Sequence, residues 1–157
     1  MSTRWDGYFL RLARVISTNS RCYSRQIGVV VVKNKAIVST GYNGPPARTK
    51  HCEERNPNKE LECPRQLLGY SSGERLEICR AAHAETNAIA NAAKMGHSLK
   101  DAIMYCDCGI PCNECAKLII NAGIREVVVT ELKEYSKAYP SMELFNEAGV
   151  RVRNYYA

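Results

Sequence analysis

The stretch AIMYCDCGIPCNECAKLIINAGIREVVVT, residues 102–130, predicts a strand, a helix and a second strand. Its two ends, AIMYC and EVVVT, are short apolar runs of the kind that form buried strands. Between them, a helical pattern runs from Cys112 to Ala122 and ends at Gly123, a residue that commonly terminates helices. Strands that alternate with helices are typical of a parallel sheet. The stretch therefore predicts an α/β fold.

The flanking segments extend this unit in both directions. Residues 5–18 form an amphipathic pattern, and IGVVVV and AIVST, joined by Lys33-Asn34-Lys35, predict a hairpin. Further helices are expected over residues 82–95 and 140–148, and the alternating run VRVRNYY predicts a last, edge strand. The order α-β-β-α-β-α-β-α-β predicts a three-layer α/β/α sandwich with a mixed five-stranded central sheet.

Length and composition bound the class of protein. The 157 residues suit a single domain over positions 1–157, interrupted by a long irregular, Cys-rich insertion at about 45–80. No run approaches the roughly 18 apolar residues of a membrane span. The N-terminal segment lacks the apolar core and cleavage site of a signal peptide. We therefore expect a cytoplasmic protein with no membrane partner.

The charge balance is basic. Lys and Arg exceed Asp and Glu by 22 − 16 = 6. This excess favours an anionic partner such as a nucleotide phosphate, although an ordinary solvated basic surface is an open alternative. The charges are spread along the chain without a basic run, so no nucleic-acid partner is expected.

A Cys-x-x-Cys pair opens the helix that follows AIMYC. Cys112 and Cys115 would share one face of its first turn, where free N–H groups and the helix dipole favour thiolates. Alone, the pair fits a redox dithiol or buried cysteines as well as half a zinc site. His83 begins another helix directly after an irregular loop, and helices that follow strands can aim their N-termini at a common crevice. His83, Cys112 and Cys115 are therefore candidate ligands, with the fourth position open as in catalytic zinc sites.

Glu85 is the residue that a structural zinc site would not need. Two residues along a helix turn about 200°, so Glu85 and His83 reach one site only if the helix points end-on at it. The alternative is a glutamate favoured in the first turn by the helix dipole. Beside a zinc-activated water, a carboxylate can carry a proton to a ring nitrogen and then to a leaving amine. The spacing His-x-Glu followed by Pro-Cys-x-x-Cys is typical of zinc-dependent nucleobase deaminases.

Four segments make the resemblance more specific, namely GYNGPP (41–46), HAETNAI (83–89), PCNECAKLIINAGI (111–124) and FNEAGVRV (145–152). Together they resemble the deoxycytidylate (dCMP) deaminase family over almost the whole chain. The resemblance implies hydrolysis of dCMP to dUMP and ammonia for thymidylate synthesis. It assigns the catalytic zinc to His83, Cys112 and Cys115 and proton transfer to Glu85. It further implies a homohexamer that dCTP activates with Mg²⁺ and dTTP inhibits.

The resemblance also assigns binding roles. It implies substrate contacts by Asn43, at the sugar, by Ala84, and by Tyr135, which would stack on the base. It links effector binding to Gly41, Tyr42, Gly44 and Arg48. The alternatives are a turn that needs glycine's freedom and a tyrosine used in packing. For the phosphate, the chain offers Arg25, Arg48 and Lys50, any of which could equally be solvated surface charge.

One segment departs from the family pattern. Members commonly carry Thr-x-x-Pro-Cys before the Cys pair, whereas YCDCGIPC is one residue longer and contains Asp107 and Cys108. A different turn here would shift backbone groups that face the base. Cys106 and Cys108 are expected to be small buried packing residues rather than ligands.

Four other cysteines predict a second metal. Cys22 precedes the first strand, and Cys52, Cys63 and Cys79 frame the irregular insertion. A zinc ion bound by four thiolates would order a loop that buries little apolar surface, and some dCMP deaminases have a structural zinc near equivalent positions. His51 could replace one cysteine. The alternative is a set of scattered reduced cysteines.

Two other functions remain open from the sequence. A zinc deaminase acting on a base in tRNA or single-stranded DNA would need a basic or aromatic groove, and only the nine tyrosines favour one. A non-catalytic zinc-binding module is the other alternative. Glu85 disfavours the module, because a structural zinc site has no use for an unligated carboxylate.

Overall fold

The structure is a computed structural model that describes residues 3–55, 63–71, 73–136 and 139–156. The strands are β1 (Gly28–Lys33), β2 (Ala36–Tyr42), β3 (Ile103–Cys106), β4 (Glu126–Val129) and β5 (Arg151–Asn154). The helices are α1 (Arg4–Ser17), α2 (Cys52–Arg55), α3 (Pro64–Leu67), α4 (Ala84–Lys94), α5 (Asn113–Asn121) and α6 (Met142–Glu147), with a 3₁₀ turn at Leu76–Ile78. The observed bounds differ from the expected ones by only a few residues, as helix and strand ends commonly do.

The strands form one mixed sheet in the order β2-β1-β3-β4-β5. β1 is antiparallel to both β2 and β3, whereas β3, β4 and β5 are parallel to one another. The β1–β2 connection is a tight turn in which Asn34 and Lys35 have φ values of 51° and 62°. Two consecutive positive φ values match the twist of a hairpin. The predicted mixed five-stranded sheet is confirmed.

Helices cover both faces of the sheet. On one face, α1 packs Phe9, Leu10 and Ala13 against Val30 and other sheet residues. On the opposite face, α4, α5 and α6 enclose the larger core, in which Met104 is fully buried. This arrangement confirms the three-layer α/β/α sandwich. No helix in the described ranges combines the length and apolar character needed to cross a bilayer.

Buried charges join α1 to the far edge of the sheet. The guanidinium of Arg153 on β5 donates to both carboxylate oxygens of Asp6, at 2.7 and 3.1 Å, and to Glu126. Tyr105 donates to Asp6 at 3.0 Å, and Arg151 donates to Glu126 at 2.6 Å. We call Asp6, Tyr105, Glu126 and Arg153 the α1–β5 ion cluster. It ties three strands and a helix together through hydrogen-bonded charges.

The β2 strand extends beyond the predicted run AIVST and includes Gly41 and Tyr42 of the GYNG segment. Gly41 lies in β2 and is buried against the start of α4. A Cβ atom there would lie 2.3 Å from the carbonyl oxygen of Ala84 and 2.4 Å from the backbone nitrogen of Ala88. Only glycine therefore allows α4 to approach the sheet this closely.

The long insertion is closed at its two ends. Gly44 and Ala82 exchange backbone hydrogen bonds of 3.1 and 2.8 Å, which bring the start of the insertion next to the residue before His83. Between them, the described residues form only α2, α3 and the 3₁₀ turn. The predicted irregular stretch therefore leads directly into the N-terminus of α4.

Candidate active site

The N-termini of α4 and α5 converge on one point. His83 and Cys112 occupy the N-cap positions of these helices in extended conformations, and neither uses its side chain as a cap. The Nδ1 atom of His83 lies 3.4 Å from the Sγ atoms of both Cys112 and Cys115. Tetrahedral zinc at ordinary bond lengths would place nitrogen and sulfur ligands about 3.6 Å apart. The donor set and its spacing therefore fit a zinc ion.

The electrostatic environment of His83, Cys112 and Cys115 favours a thiolate in this group. The hydrogen bond with Cys115 lowers the pKa of Cys112, and the same bond together with burial raises the pKa of Cys115. The hydrogen bond with Cys112 in turn raises the pKa of His83. The pair therefore holds a thiolate among polarised N–H groups, the form in which cysteine binds metal.

Glu85 lies beside this group in the first turn of α4. The residue is only 4% exposed, and burial raises the pKa of its carboxyl group. A carboxyl oxygen lies within 4.8 Å of the sulfur atoms of Cys106 and Cys108. Glu85, His83 and Cys112 all line one cavity, which is the end-on arrangement that their spacing requires.

The cavity has a volume of about 280 Å³, near the lower end of the range for small-molecule sites. It is lined by Arg25, Asn43, Ala84 and Tyr135, four of the residues expected to contact substrate. The Tyr135 ring centre lies 5.9 Å from that of His83, with the planes inclined by 55°. The structure thus brings the four residues together with the metal-ligand group.

Asn43 already has partners for both ends of its amide. Its oxygen accepts from the Ile27 backbone at 2.8 Å, and its nitrogen donates to the Arg25 carbonyl at 2.7 Å. These bonds hold residues 25–27 at the edge of the cavity. The structure therefore gives Asn43 a role in shaping the wall, and sugar contact stays a prediction.

The residues assigned to effector binding lie away from this wall. Among the described residues that line the cavity, Gly41, Tyr42, Gly44 and Arg48 are absent. Gly41 and Gly44 are buried in backbone contacts, whereas Arg48 is exposed with a φ of 69°. Lys50, a phosphate candidate, is also exposed and does not line the cavity. The effector assignments stay predictions.

The unusual YCDCGIPC segment forms part of the cavity wall. Cys108, Gly109 and Ile110 line it, and Cys106 and Cys108 are buried in the core, as packing residues would be. The backbone nitrogen of Asp107 donates to the Gly28 carbonyl at 3.0 Å. The longer segment is therefore anchored to β1 and forms part of the cavity wall.

The other four cysteines also gather in one place. The pKa of the Cys52 thiol is raised by burial and further by the nearby thiols of Cys63, Cys79 and Cys22. Within the described ranges, the tightest ligand groups are His83–Cys112–Cys115 and Glu85–Cys106–Cys108, so this second cluster is looser. Cys22 and Cys79 also line the cavity. Zinc binding there, with or without His51, stays a prediction.

Two cations at the cavity were not predicted from the sequence. Arg65 and Lys133 both line it, and Arg65 is only 6% exposed. Arg65 lies in α3, within the irregular insertion where no periodic pattern indicates which side chains point inward. Its position two residues after Cys63 was the available signal, because the cluster of Cys63 adjoins the cavity.

The comparison with known proteins identifies the family. The profile described as "Cytidine and deoxycytidylate deaminase zinc-binding region" matches residues 3–131. This span includes Glu85 and all three residues of the candidate zinc group. The chain belongs to this family, as the sequence motifs predicted.

Named relatives agree with this assignment. The deoxycytidylate deaminase of Schizosaccharomyces pombe is 35% identical over 153 residues, which cover 96% of this chain and 44% of that protein. The human deoxycytidylate deaminase is 35% identical over 154 residues, covering 96% and 79%. The chain spans less than half the length of the Schizosaccharomyces pombe and Saccharomyces cerevisiae relatives.

The fold is matched by a solved phage protein. The dCMP deaminase of cyanophage S-TIM5, in complex with dCMP and dUMP, superposes with a TM-score of 0.75 and covers 99% of both chains. Its sequence is 24% identical to this one. The likeness supports the three-layer architecture.

Proposed function

We propose that this protein hydrolyses dCMP to dUMP and ammonia, which would supply dUMP for thymidylate synthesis. The observation that carries the proposal is the convergence of α4 and α5, which places a His/Cys/Cys group and a buried carboxylate at one cavity. The relatives of 34–35% identity support this substrate, because those of the two yeasts and human are all named deoxycytidylate deaminase.

Each residue of the site has a distinct task in this proposal. His83, Cys112 and Cys115 would hold zinc, which when bound supplies Lewis-acid activation of water near neutral pH. Glu85 would take a proton from the attacking water, give it to the ring nitrogen N3 and help protonate the leaving amine. Its raised pKa suits this work, because a group that both accepts and donates should have a pKa near the working pH.

Tyr135 and the backbone of residues 108–110 would hold the base. Tyr135 lies against His83, so a base stacked on its ring would be presented to the metal-ligand group. Cys108, Gly109 and Ile110 line the same cavity, although the Ile110 N–H and the Cys108 carbonyl are already bonded to Lys133 and Thr130. These contacts would fix the base while Glu85 moves the proton.

The substrate assignment is tested by ammonia release. Zinc-loaded protein is given dCMP, dCTP, deoxycytidine and single-stranded DNA in parallel. Turnover of dCMP in preference to the others is the expected result. Turnover of single-stranded DNA without turnover of dCMP would contradict the proposal, and the nucleic-acid alternative would replace it.

We further propose that dCTP with Mg²⁺ activates and dTTP inhibits the enzyme, and that it works as a cytoplasmic homohexamer. The family resemblance supports this, with Gly41, Tyr42, Gly44 and Arg48 on the effector side. Because these residues lie off the cavity wall, an effector there would act without occupying the substrate site. Turnover of dCMP measured with each triphosphate, and molecular mass from sedimentation, test the two statements. A rate of dCMP turnover that neither triphosphate changes contradicts the effector proposal. The molecular mass of a monomer contradicts the hexamer proposal.

We propose that the chain folds as one domain over 1–157 whose insertion at about 45–80 is held by a second zinc on Cys22, Cys52, Cys63 and Cys79. The gathering of these thiols supports it, since a structural zinc supplies folding free energy to a loop with a small core. Wild-type protein should contain two zinc ions per chain by atomic absorption. Cys63→Ala should contain one, while Cys106→Ala, another buried cysteine, keeps two. Equal zinc content in Cys63→Ala and wild type contradicts a second site.

A further inference from the structure

We infer that Arg65 binds the phosphate of the nucleotide and thereby makes the enzyme select a monophosphate over the free nucleoside. The inference rests on the proposed deaminase function and assigns a residue that the sequence motifs did not indicate. Its basis is a buried guanidinium that lines the cavity and forms an ion pair with no carboxylate among the described residues.

Arg65 is charged, buried and incompletely bonded. Only 6% of its surface is exposed. One terminal nitrogen donates to the carbonyl of Glu74 at 2.6 Å and lies 3.5 Å from that of Ser71. Its buried Nε has no hydrogen-bond partner. A buried N–H without an acceptor is costly, and so is a buried charge without an opposite charge.

Of the described carboxylates that line the cavity, Glu131 and Glu134 are engaged elsewhere, and Glu85 lies at the metal-ligand group. Glu131 lies 3.9 Å from Arg25, and Glu134 accepts hydrogen bonds from the backbone at the start of α6. Within the described ranges, no carboxylate forms an ion pair with Arg65. An anion that entered the cavity would therefore supply the missing opposite charge.

The position of Arg65 suits the far end of a bound nucleotide. Arg65, Tyr135 and His83 all line the same cavity. A base stacked on Tyr135 would thus leave its phosphate within the same cavity as Arg65. The planar guanidinium offers parallel N–H donors that match phosphate oxygens.

The other cations of the cavity are less suited to this selection. Arg25 has a side chain that is 46% exposed and shares its charge with Glu131, and Lys133 is exposed. Solvent weakens the interaction of such groups with an anion. Arg65 is the one of the three whose charge is shielded from water, so its contribution should dominate.

The test compares nucleotide with nucleoside in one variant. Arg65→Gln should lower kcat/KM for dCMP by about 10- to 100-fold, the typical loss of a charged hydrogen bond, and change that for deoxycytidine by less than about twofold. Arg75→Gln is the matched control, because Arg75 lies in the same insertion but is exposed, paired with Glu77 and outside the cavity wall. It should change neither value. An equal fall for both substrates in Arg65→Gln would show a purely structural role and overturn the inference.

Binding without turnover separates this inference from the proposed function. By calorimetry, wild type should bind dUMP at least about tenfold more tightly than deoxyuridine, and Arg65→Gln should remove the difference. If wild type shows this binding but releases no ammonia from dCMP, the proposed function fails and the phosphate site stands. If it deaminates dCMP while Arg65→Gln retains the preference for dUMP, only the present inference fails.

A second variant tests the inference in case Arg65→Gln does not fold. If Arg65→Gln melts below the assay temperature, Arg65→Lys retains the charge and bulk but loses the paired donors. It should lower kcat/KM for dCMP by about three- to tenfold with no loss for deoxycytidine. An unchanged ratio of the two substrates in Arg65→Lys overturns the role of the guanidinium.

Discussion

The molecule buries carboxylates in two regions, which differ in whether the carboxylate is paired with a cation. In the α1–β5 ion cluster, Asp6 and Glu126 are almost fully buried, and each is hydrogen-bonded to Arg153. At the cavity, Glu85 is equally buried, but no cation forms an ion pair with it within the described ranges. The ion cluster pairs its buried carboxylates with cations of the protein itself. At the cavity, Glu85 is left to interact with a group that binds from outside.

The difference is visible in the direction of the pKa shifts. Burial alone would raise the pKa of Asp6 and of Glu126, but their hydrogen bonds with arginine lower both below their usual values. At Glu85 burial prevails and the pKa is raised. Burial of a carboxylate therefore does not by itself indicate a functional site. The absence of a paired cation distinguishes the carboxylate that we propose to transfer protons from the structural ones.

The largest effect is expected at Glu85. Glu85→Gln should lower kcat for dCMP by about 10²–10⁴-fold, because the amide cannot carry the proton, while zinc content stays at the wild-type value. Glu143→Gln is the control, since Glu143 is also a first-turn helix glutamate but is exposed on α6. Steady-state kinetics and metal analysis measure the two quantities. Activity surviving in Glu85→Gln would falsify the role given to Glu85.

At the ion cluster the corresponding change should affect stability. Arg153→Met leaves Asp6 without its cation and should lower the free energy of unfolding by about 3–5 kcal/mol. Arg151→Met is the control, because the Arg151 side chain is 67% exposed and its pair with Glu126 should contribute less than about 1 kcal/mol. Urea unfolding measures both. Equal losses in the two variants would mean that burial of the pair does not set its contribution.

Acid should weaken the ion cluster selectively. Because the folded-state pKa values of Asp6 and Glu126 are lowered, their stabilisation is fully present above their unfolded values near 3.8 and 4.5. It is lost as pH falls through the lower folded values. The melting temperature of wild type should therefore drop steeply below about pH 4, and that of Arg153→Met should drop less. Parallel curves for the two proteins would contradict this assignment.

The smallest expected effect is a change in melting temperature when Glu85 is substituted. A buried carboxylate with a raised pKa is disfavoured when ionised, so Glu85→Gln should equal or exceed wild type in melting temperature at neutral pH. For a chain of this length, a gain of roughly 1 kcal/mol would appear as about 2–4 °C. A fall in melting temperature would show that Glu85 is a structural residue like Asp6.

Elements with a regular periodicity and motifs with a fixed residue spacing could be predicted from the sequence. The β-α-β stretch gave the parallel half of the sheet, and His83, Glu85 and the Cys pair identified the site because their spacing is tied to helix N-termini. Arg65 could not be found this way, because it lies in an insertion whose course depends on distant contacts. Gly41 was assigned to a turn for a similar reason. Its close contact with Ala84 is invisible until α4 is placed on the sheet.

The contact at Gly41 has a consequence for how this protein tolerates mutation. Ala84, whose carbonyl limits the space at position 41, lies between His83 and Glu85. A methyl group added at position 41 would displace the start of α4, and both residues would move relative to the Cys pair on α5. Damage to strand packing would thus appear first as weaker metal affinity rather than as unfolding. A substitution well outside the cavity wall would then be mistaken, in a screen of variants, for one in the catalytic centre.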